Sequence, residues 1–213
     1  MNRAHLFLIA LAISLFFVLP AAAQQKDPVV ELQTTKGNIY IRVFYGAVPR
    51  TASNFLDLVS RGFYDGKIFH RIETWCIQGG DPNGNGTGDF VDPNTGQVRY
   101  VPLEINRRLS HSCAGVVAMA RKNNPNSASC QFYITKQSTK FLDGRYAIFG
   151  QVVQGLNAVR NMQRGDQIVS ARIIDSQDNN QSNSNSPPQT RPSPRGGPTP
   201  EYEPTSEVPN DGF

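Results

Sequence analysis

Short runs of apolar and β-branched residues, separated by turn residues, recur along most of this chain. Val29 to Thr34 and Asn38 to Phe44 flank the turn Thr35-Lys36-Gly37 and predict a β-hairpin. The same pattern predicts further short strands at 69–71, 75–78, 116–120, 131–135, 146–153 and 168–174. So many short strands indicate a mainly β fold.

Two helices interrupt these strands, one near each end of the predicted domain. Pro49 begins the first, which runs to about Arg61 and places Ala52, Phe55, Leu56 and Val59 on one apolar face. Leu156, Val159 and Met162 show the same spacing and predict a shorter second helix that ends near Gly165. This order of elements predicts a closed antiparallel barrel plugged by helices, with an α+β sandwich as the alternative.

Two stretches show neither the alternation typical of a strand nor the spacing of three or four residues typical of a helix. Residues 81–112 are rich in glycine and proline and predict a long loop, which in a compact domain is usually functional or mobile. Residues 176–213 carry eight of the chain's 15 prolines and almost nothing apolar, so we expect a disordered tail. An inert solvated tail is the simplest interpretation, and a spacer or a partner-binding segment is the alternative. The predicted globular domain is therefore 29–175.

The amino terminus has the pattern of a targeting segment. A positively charged start precedes the apolar run Leu6 to Leu19, and Ala21 to Ala23 provide the small residues that a signal peptidase requires. The apolar run is shorter than the ~20 residues that span a bilayer, although an uncleaved anchor is the alternative. We expect 1–23 to be a signal peptide, 24–28 a short linker, and the mature protein to be exported, periplasmic or secreted, with no membrane contact after cleavage.

Charge and cysteine content narrow the chemistry further. The net charge is +4, and basic residues are scattered, with no long basic stripe interleaved with aromatic residues, so we expect no nucleic-acid partner. The three cysteines, Cys76, Cys113 and Cys130, leave at least one without an intrachain partner. We interpret them as small buried apolar side chains, and oxidation of one pair stays an open alternative.

The most informative run is FHRIETWCIQGGD, residues 69–81. It sets Arg71 among apolar neighbours and follows it with Gln78, whose amide both donates and accepts hydrogen bonds. A guanidinium beside an aromatic residue and an amide suggests a site that binds a neutral group with carbonyl oxygens, and nothing in the run has the character of an activated nucleophile. The alternative is a buried strand whose arginine only pairs with a carboxylate.

Two later runs, GVVAMARKNNPNSASCQFYI at 115–134 and FLDGRYAIFGQV at 141–152, follow the first in order. Together the three runs resemble the cyclophilin family of peptidyl-prolyl cis-trans isomerases over about 29–175. The resemblance implies a closed barrel of eight antiparallel strands with a helix at each open end. It also implies isomerisation of X-Pro bonds, which needs no nucleophile, metal or cofactor.

The resemblance carries over residue by residue. Arg71 corresponds to the catalytic arginine, and Gln78 to the glutamine that orients it. The expected substrate-binding positions are Trp75, Cys76, Ala120, Arg121, Gln131, Tyr133, Phe141, Leu142 and Tyr146.

Several of these positions depart from the commonest family pattern. The segment between Arg71 and Gln78 is one residue shorter than usual. Trp75 and Cys76 stand at a pocket phenylalanine and methionine, Tyr133 at a second phenylalanine, and Tyr146 at a histidine. Phe141 stands where some members have the tryptophan that contacts cyclosporin.

These observations predict a monomeric isomerase that acts on proline-containing segments of exported proteins and assists their folding. Cyclosporin-type cyclic peptides are expected to bind with weakened affinity because the pocket is altered. Two alternatives stay open: a proline-peptide binding module that has lost most of its turnover, and a chaperone that uses the same groove or the tail.

Overall fold

The structure, a computed structural model, describes residues 27–174. The predicted signal peptide at 1–23 and the predicted tail at 176–213 lie outside these residues, as does most of the short linker. Within the described range no helix has the length and apolar character needed to cross a membrane.

Eight strands form one antiparallel sheet in the described region. They are β1 (Val29–Thr34), β2 (Gly37–Val43), β3 (Phe69–Ile72), β4 (Cys76–Gly79), β5 (Val116–Met119), β6 (Phe132–Thr135), β7 (Ile148–Gln154) and β8 (Ile168–Ile174). Their order across the sheet is β3-β4-β6-β5-β7-β2-β1-β8. The mainly β prediction and each predicted strand are confirmed, with ends that differ by one or two residues.

The sheet curls into a half-barrel, and the predicted full closure is not confirmed. Strands β3 and β8 are its two edges, joined through a single bridge between Ile68 and Gln167 just outside both strands. Beyond this bridge the backbone N–H of Ala171 in β8 donates to the Asp65 side chain at 2.8 Å. On this side Ala171 of β8 therefore bonds to a side-chain carboxylate and not to the backbone of another strand.

Helix α1 (Pro49–Ser60) follows β2, and helix α2 (Leu156–Asn161) follows β7. The apolar face of α1 is buried, with Phe55 and Leu58 fully enclosed, whereas Leu56, predicted for that face, is only half-buried. Helix α2 ends at Asn161, earlier than predicted, because the backbone turns to an extended conformation at Met162. A 3-10 turn, η1 (Lys140–Leu142), precedes β7.

The two faces of the sheet carry different clusters because side chains alternate along each strand. The larger cluster is the interior, where Phe55 packs against Tyr64, Phe132 and Phe149 with ring centroids 4.7–5.6 Å apart. The smaller cluster lies on the opposite face of β4, β5 and β6 and consists of Cys76, Val116, Ala118, Tyr133, Leu142 and Ile148. This second face supports the candidate site.

All three cysteines lie in the described region, and none forms a disulfide there. Cys76 and Cys130 are buried as predicted, and burial raises the pKa of each thiol to about 12. Cys113 is exposed, so the prediction that all three are buried is wrong for this residue. It lies in the turn before β5, where the alternation of a strand does not apply.

Candidate active site

Three neighbouring strands bring the candidate residues together on one face of the sheet. In the register of the antiparallel ladders, Arg71 of β3 lies opposite Gln78 of β4, and Gln78 lies opposite Tyr133 of β6. Side chains directly opposite in such ladders share a face and interact. The sheet thus builds a row of three chemically different groups from residues that are up to 62 positions apart.

A pocket of about 80 Å³ opens beside this row. It is lined by eight of the predicted site residues: Arg71, Trp75, Gln78, Ala120, Arg121, Tyr133, Leu142 and Tyr146. Most of the lining residues are aromatic or aliphatic, and the polar groups are Arg71 and Gln78 on one side and Arg121, which follows β5, on the other. A small apolar ring attached to a polar backbone suits such a pocket.

The aromatic walls brace one another edge to face. Tyr133 packs against Trp75 at a centroid distance of 6.1 Å and against Tyr146 at 5.7 Å, with interplanar angles of 79° and 86°. Phe141 packs on the outer side of Trp75 at 5.9 Å. This geometry is favourable for aromatic quadrupoles and holds the pocket open.

The Tyr133 hydroxyl is tied into the interior, away from the pocket. Its oxygen lies 2.8 Å from His111 Nε2, and His111 Nδ1 lies 2.8 Å from a carboxylate oxygen of Asp143. Because that carboxylate also accepts from the His111 backbone and from Ser110, the proton is on Nδ1 and Tyr133 donates to Nε2. The Tyr133 ring therefore presents only apolar atoms to a ligand.

Burial shifts the pKa values of both His111 and Tyr133. Burial lowers the pKa of His111 below its usual range, although Asp143 opposes this effect. Burial also raises the pKa of Tyr133 well above its ordinary value. Both shifts favour the neutral forms of His111 and Tyr133. Sequence analysis missed His111 and Asp143, and the only local signal was the aspartate that follows Leu142.

Arg71 is held from three sides and remains 44% exposed. Its Nη1 donates to Gln78 Oε1 at 3.1 Å, its Nε donates to Glu73 Oε1 at 3.1 Å, and its guanidinium lies 5.4 Å from the Trp75 ring centroid. Glu73 therefore pairs with only one edge of the guanidinium. The structure does not contain the alternative, a buried arginine that only pairs with a carboxylate, because Arg71 is partly exposed and also bonds to Gln78. Glu73 was not among the predicted site residues.

The other predicted residues lie around this pocket. Gln131 lies in an adjoining recess of about 60 Å³, which it shares with Gln78, Arg121 and Lys122. Phe141 stands at the rim and is 62% exposed. Cys76 is fully buried in the smaller cluster, which also contains Tyr133 and Leu142, and it does not line the pocket.

Arg121 separates the pocket from the recess. Its guanidinium lies 4.7 Å from the Tyr146 ring centroid and donates to the backbone oxygens of Arg145, Lys122 and Asn123 at 2.9–3.3 Å. These contacts immobilise the side chain and leave its charge at the surface that both cavities share. Within 27–174, no group of three His, Cys, Asp or Glu side chains is arranged to hold a metal ion.

Comparison with known proteins gives consistent results. The family model described as cyclophilin type peptidyl-prolyl cis-trans isomerase/CLD matches residues 29–182. Peptidyl-prolyl cis-trans isomerase-like 1 of Rhizopus delemar is 43% identical over 134 residues, which cover 62% of this chain and 78% of that protein. A putative thylakoid lumen peptidyl-prolyl cis-trans isomerase of Synechocystis is 37% identical and is matched over 48% of its length.

One solved structure is similar over most of the described region. It is a cyclophilin type peptidyl-prolyl cis-trans isomerase of Cryptosporidium parvum, crystallised in the presence of the dipeptide Ala-Pro. It aligns with a TM-score of 0.63 at 32% identity and covers 70% of this chain and 99% of that one.

Proposed function

The chain belongs to the cyclophilin-type peptidyl-prolyl cis-trans isomerases, and from this premise we propose that Arg71 and Gln78 catalyse the isomerisation in the pocket beside Trp75. The chain is a peptidyl-prolyl cis-trans isomerase, as its family and its named relatives are. The observation that carries the assignment of Arg71 is its guanidinium, which opens to an aromatic-walled pocket while Gln78 holds it at 3.1 Å.

Catalysis of X-Pro isomerisation places two requirements on the protein. Rotation about a peptide bond faces a barrier of about 18–20 kcal/mol, because the nitrogen lone pair is delocalised into the carbonyl group. At an X-Pro bond the two isomers have similar free energies, yet uncatalysed exchange takes about 10–100 s. No bond breaks, so the protein has to hold the proline ring and favour the twisted amide over the planar one.

Arg71 meets the second requirement. In the twisted amide the nitrogen becomes pyramidal and its lone pair becomes available as a hydrogen-bond acceptor. A guanidinium N–H directed at that nitrogen stabilises the twisted state and offers little to the planar one. Such preorganised electrostatic stabilisation is strongest where the site is partly shielded from water, as the aromatic walls provide here.

The pocket supports the first requirement. Trp75, Tyr133, Leu142 and Tyr146 enclose a space for the proline ring, and the recess beside Gln131 and Arg121 continues the groove for neighbouring peptide residues. The similarity to the Cryptosporidium protein crystallised in the presence of Ala-Pro supports binding of proline-containing peptides. Cys76 is fully buried and does not line the pocket, so it makes no direct contact with the proline ring.

The test compares Arg71→Ala with the unmodified protein on a short X-Pro peptide. We expect kcat/KM to fall about 10²–10³-fold, since a preorganised donor is lost, while the peptide dissociation constant changes little. Arg71→Lys should rescue poorly, because an ammonium lacks the planar fork of a guanidinium. Trp75→Ala should mainly weaken binding, because the wall contacts the proline ring in both states.

Isomerisation is measured by NMR exchange and binding by titration. Arg42→Ala, which removes an exposed arginine on β2, is the matched control and should leave both values unchanged. An Arg71→Ala variant that isomerises as fast as its parent would contradict the assignment. If the unmodified protein binds the peptide without accelerating exchange, the groove is a binding module.

The cellular setting is a separate proposal. The charged start, apolar run and alanines of 1–23 support export, and the similarity to a protein named for the thylakoid lumen is consistent with it. The enzyme would then act as a monomer on exported proteins and assist their folding. Intact-mass measurement of the protein recovered outside the cytoplasm tests the idea, since export with cleavage predicts a chain that begins at Gln24.

A further inference from the structure

The Asp81 carboxylate organises the loop that follows β4. The side chain is 1% exposed, and its two oxygens accept the backbone N–H groups of Asn83, Asn85, Gly86 and Gly88. These four bonds outweigh burial and hold the pKa of the carboxyl below its usual range. The loop 83–88 is therefore wrapped around an ionised group.

The glycines of this loop are required by that arrangement. A Cβ on Gly88 would lie 2.2 Å from Asp81 Oδ1, so only glycine leaves room for the carboxylate. Gly86 has φ +92°, a conformation that side-chain-bearing residues rarely adopt. The carboxylate and the glycines together set where the loop carbonyl oxygens point.

Those carbonyl oxygens determine the orientation of Gln131. Its Nε2 donates to the backbone oxygens of Gly86 and Gly88 at 3.1 and 2.9 Å. A carbonyl oxygen only accepts hydrogen bonds, so the NH2 group must face the loop and Oε1 must face away from it. Gln131 is 8% exposed, which leaves little room for the amide to turn over.

The orientation passes through Gln78 to the catalytic guanidinium. Gln131 Oε1 accepts from Gln78 Nε2 at 2.9 Å, and Gln78 Oε1 then accepts from Arg71 Nη1 at 3.1 Å. If Gln131 were reversed, its NH2 group would face that of Gln78. Gln78 would have to reverse as well and would present a donor to the guanidinium, which has no acceptor.

We infer that Asp81 is a positioning residue for Arg71, acting through the loop 83–88 and the amide pair Gln131–Gln78. The inference rests on the proposed role of Arg71 in catalysis. Asp81 does not line the pocket, so it reaches the reaction only through the loop, whose Gly86 borders the recess, and through the amide pair that holds Arg71. The same chain of bonds assigns Gln78 and Gln131 one amide orientation each.

The first variant is Asp81→Asn, which keeps the shape but replaces one acceptor by an NH2 donor facing the loop N–H groups. We expect kcat to fall about tenfold with KM within twofold, because misdirection of a catalytic group by a fraction of an ångström has effects of this size. Gly88→Ala perturbs the same contact from the other side and should give the same split. Gly88→Ala replaces Asp81→Asn as the test variant if Asp81→Asn does not fold.

The matched control is Asp92→Asn. Asp92 also accepts a nearby backbone N–H, that of Asn94 at 2.9 Å, but it lies in a separate turn without a bond to Gln131. The Asp92→Asn variant should keep the kcat of the parent protein. In addition, the side-chain amide NMR signals of Gln78 and Gln131 should move in Asp81→Asn and stay in place in Asp92→Asn.

A double mutant separates positioning from a general loss of structure. In an Arg71→Ala background, Asp81→Asn should cost no more than twofold further, because the group being positioned is already absent. A further tenfold loss in that background would overturn the inference, as would unchanged kcat in both Asp81→Asn and Gly88→Ala. If Arg71→Ala itself retains full activity, the proposed function fails, and that outcome is distinct from the first two.

Discussion

At the scale of single residues, the pocket keeps its apolar character although its side chains depart from the commonest pattern. Tyr133 is the clearest case, since a tyrosine replaces a phenylalanine without presenting a hydroxyl to the ligand. His111 accepts that hydroxyl at 2.8 Å on the far side of the ring. An additional polar atom is tolerated because it has a partner that is buried with it.

The rim residue Phe141 leads to a prediction about cyclic peptide inhibitors. Its ring is 62% exposed and packs on Trp75, and it lacks the indole N–H that a tryptophan would offer to a ligand carbonyl. We expect weak cyclosporin binding to the unmodified protein and tighter binding to Phe141→Trp. One regained hydrogen bond corresponds to about 1 kcal/mol, or roughly fivefold in affinity.

Calorimetric titration of both proteins measures this effect. Phe141→Leu, which also lacks a donor, is the control and should bind no better than the parent. Tight binding to the unmodified protein, or equal affinity of all three, would contradict the prediction.

At the scale of elements, the long loop 81–112 is tied to the helices and strands around it. Helix α1 begins after Val48, which offers no side-chain cap. Instead Glu104, more than 50 residues along the chain, accepts the Thr51 backbone N–H and the Thr51 hydroxyl, each at 2.8 Å. The loop thus provides the negative charge that the amino terminus of a helix favours.

Removing that charge should destabilise the fold without affecting catalysis. For Glu104→Ala we expect the free energy of unfolding to fall by about 1 kcal/mol, the usual effect of losing a helix cap. Denaturant unfolding followed by circular dichroism measures the change. Asp27→Asn is the control, since Asp27 carries one negative charge with no hydrogen bond or ion pair among the described side chains. Equal stability of the two variants would rule out a capping role for Glu104.

At the scale of the whole molecule, buried titratable groups couple stability to pH. Burial lowers the pKa of His70 and of His111, and both ring nitrogens of His70 have no hydrogen-bond partner among the described residues. Asp57, Asp81 and Asp143 have pKa values below their ordinary range because hydrogen bonds to the carboxylates outweigh burial. The folded state therefore favours neutral histidines and ionised carboxylates.

The sign of the effect is the same for both kinds of group. The histidine contribution is complete above the unfolded pKa of about 6.5 and is lost as the pH falls towards the lower folded values. The carboxylate contribution is complete above about 4 and is lost below it. We expect the melting temperature to fall as the pH drops below about 6.5 and to fall further below about pH 4. His70→Gln removes the ionisable ring and should flatten the profile below about pH 6.5, whereas an unchanged slope would exclude His70 as a contributor.

The sequence by itself determined the parts of this protein that depend on near neighbours. The hairpin of β1 and β2, the start of α1 at Pro49 and the short strands follow from periods of two and about four residues, which are local properties of the backbone. The run from Phe69 to Asp81 likewise offered Arg71 and Gln78 as candidates, because both residues lie in one short motif.

Only the tertiary structure decided the remainder, because it depends on register between distant strands. The bond between Gln78 and Gln131 joins residues 53 positions apart, and the pairing of His111 with Tyr133 spans 22. Cys76 shares the face of Gln78 by alternation, yet it is fully buried in the smaller cluster and does not line the pocket. The open edge between β3 and β8 was equally hidden, since the bridge between Ile68 and Gln167 joins distant parts of the chain. Local patterns determine which elements form, and packing between them determines which side chains reach the site.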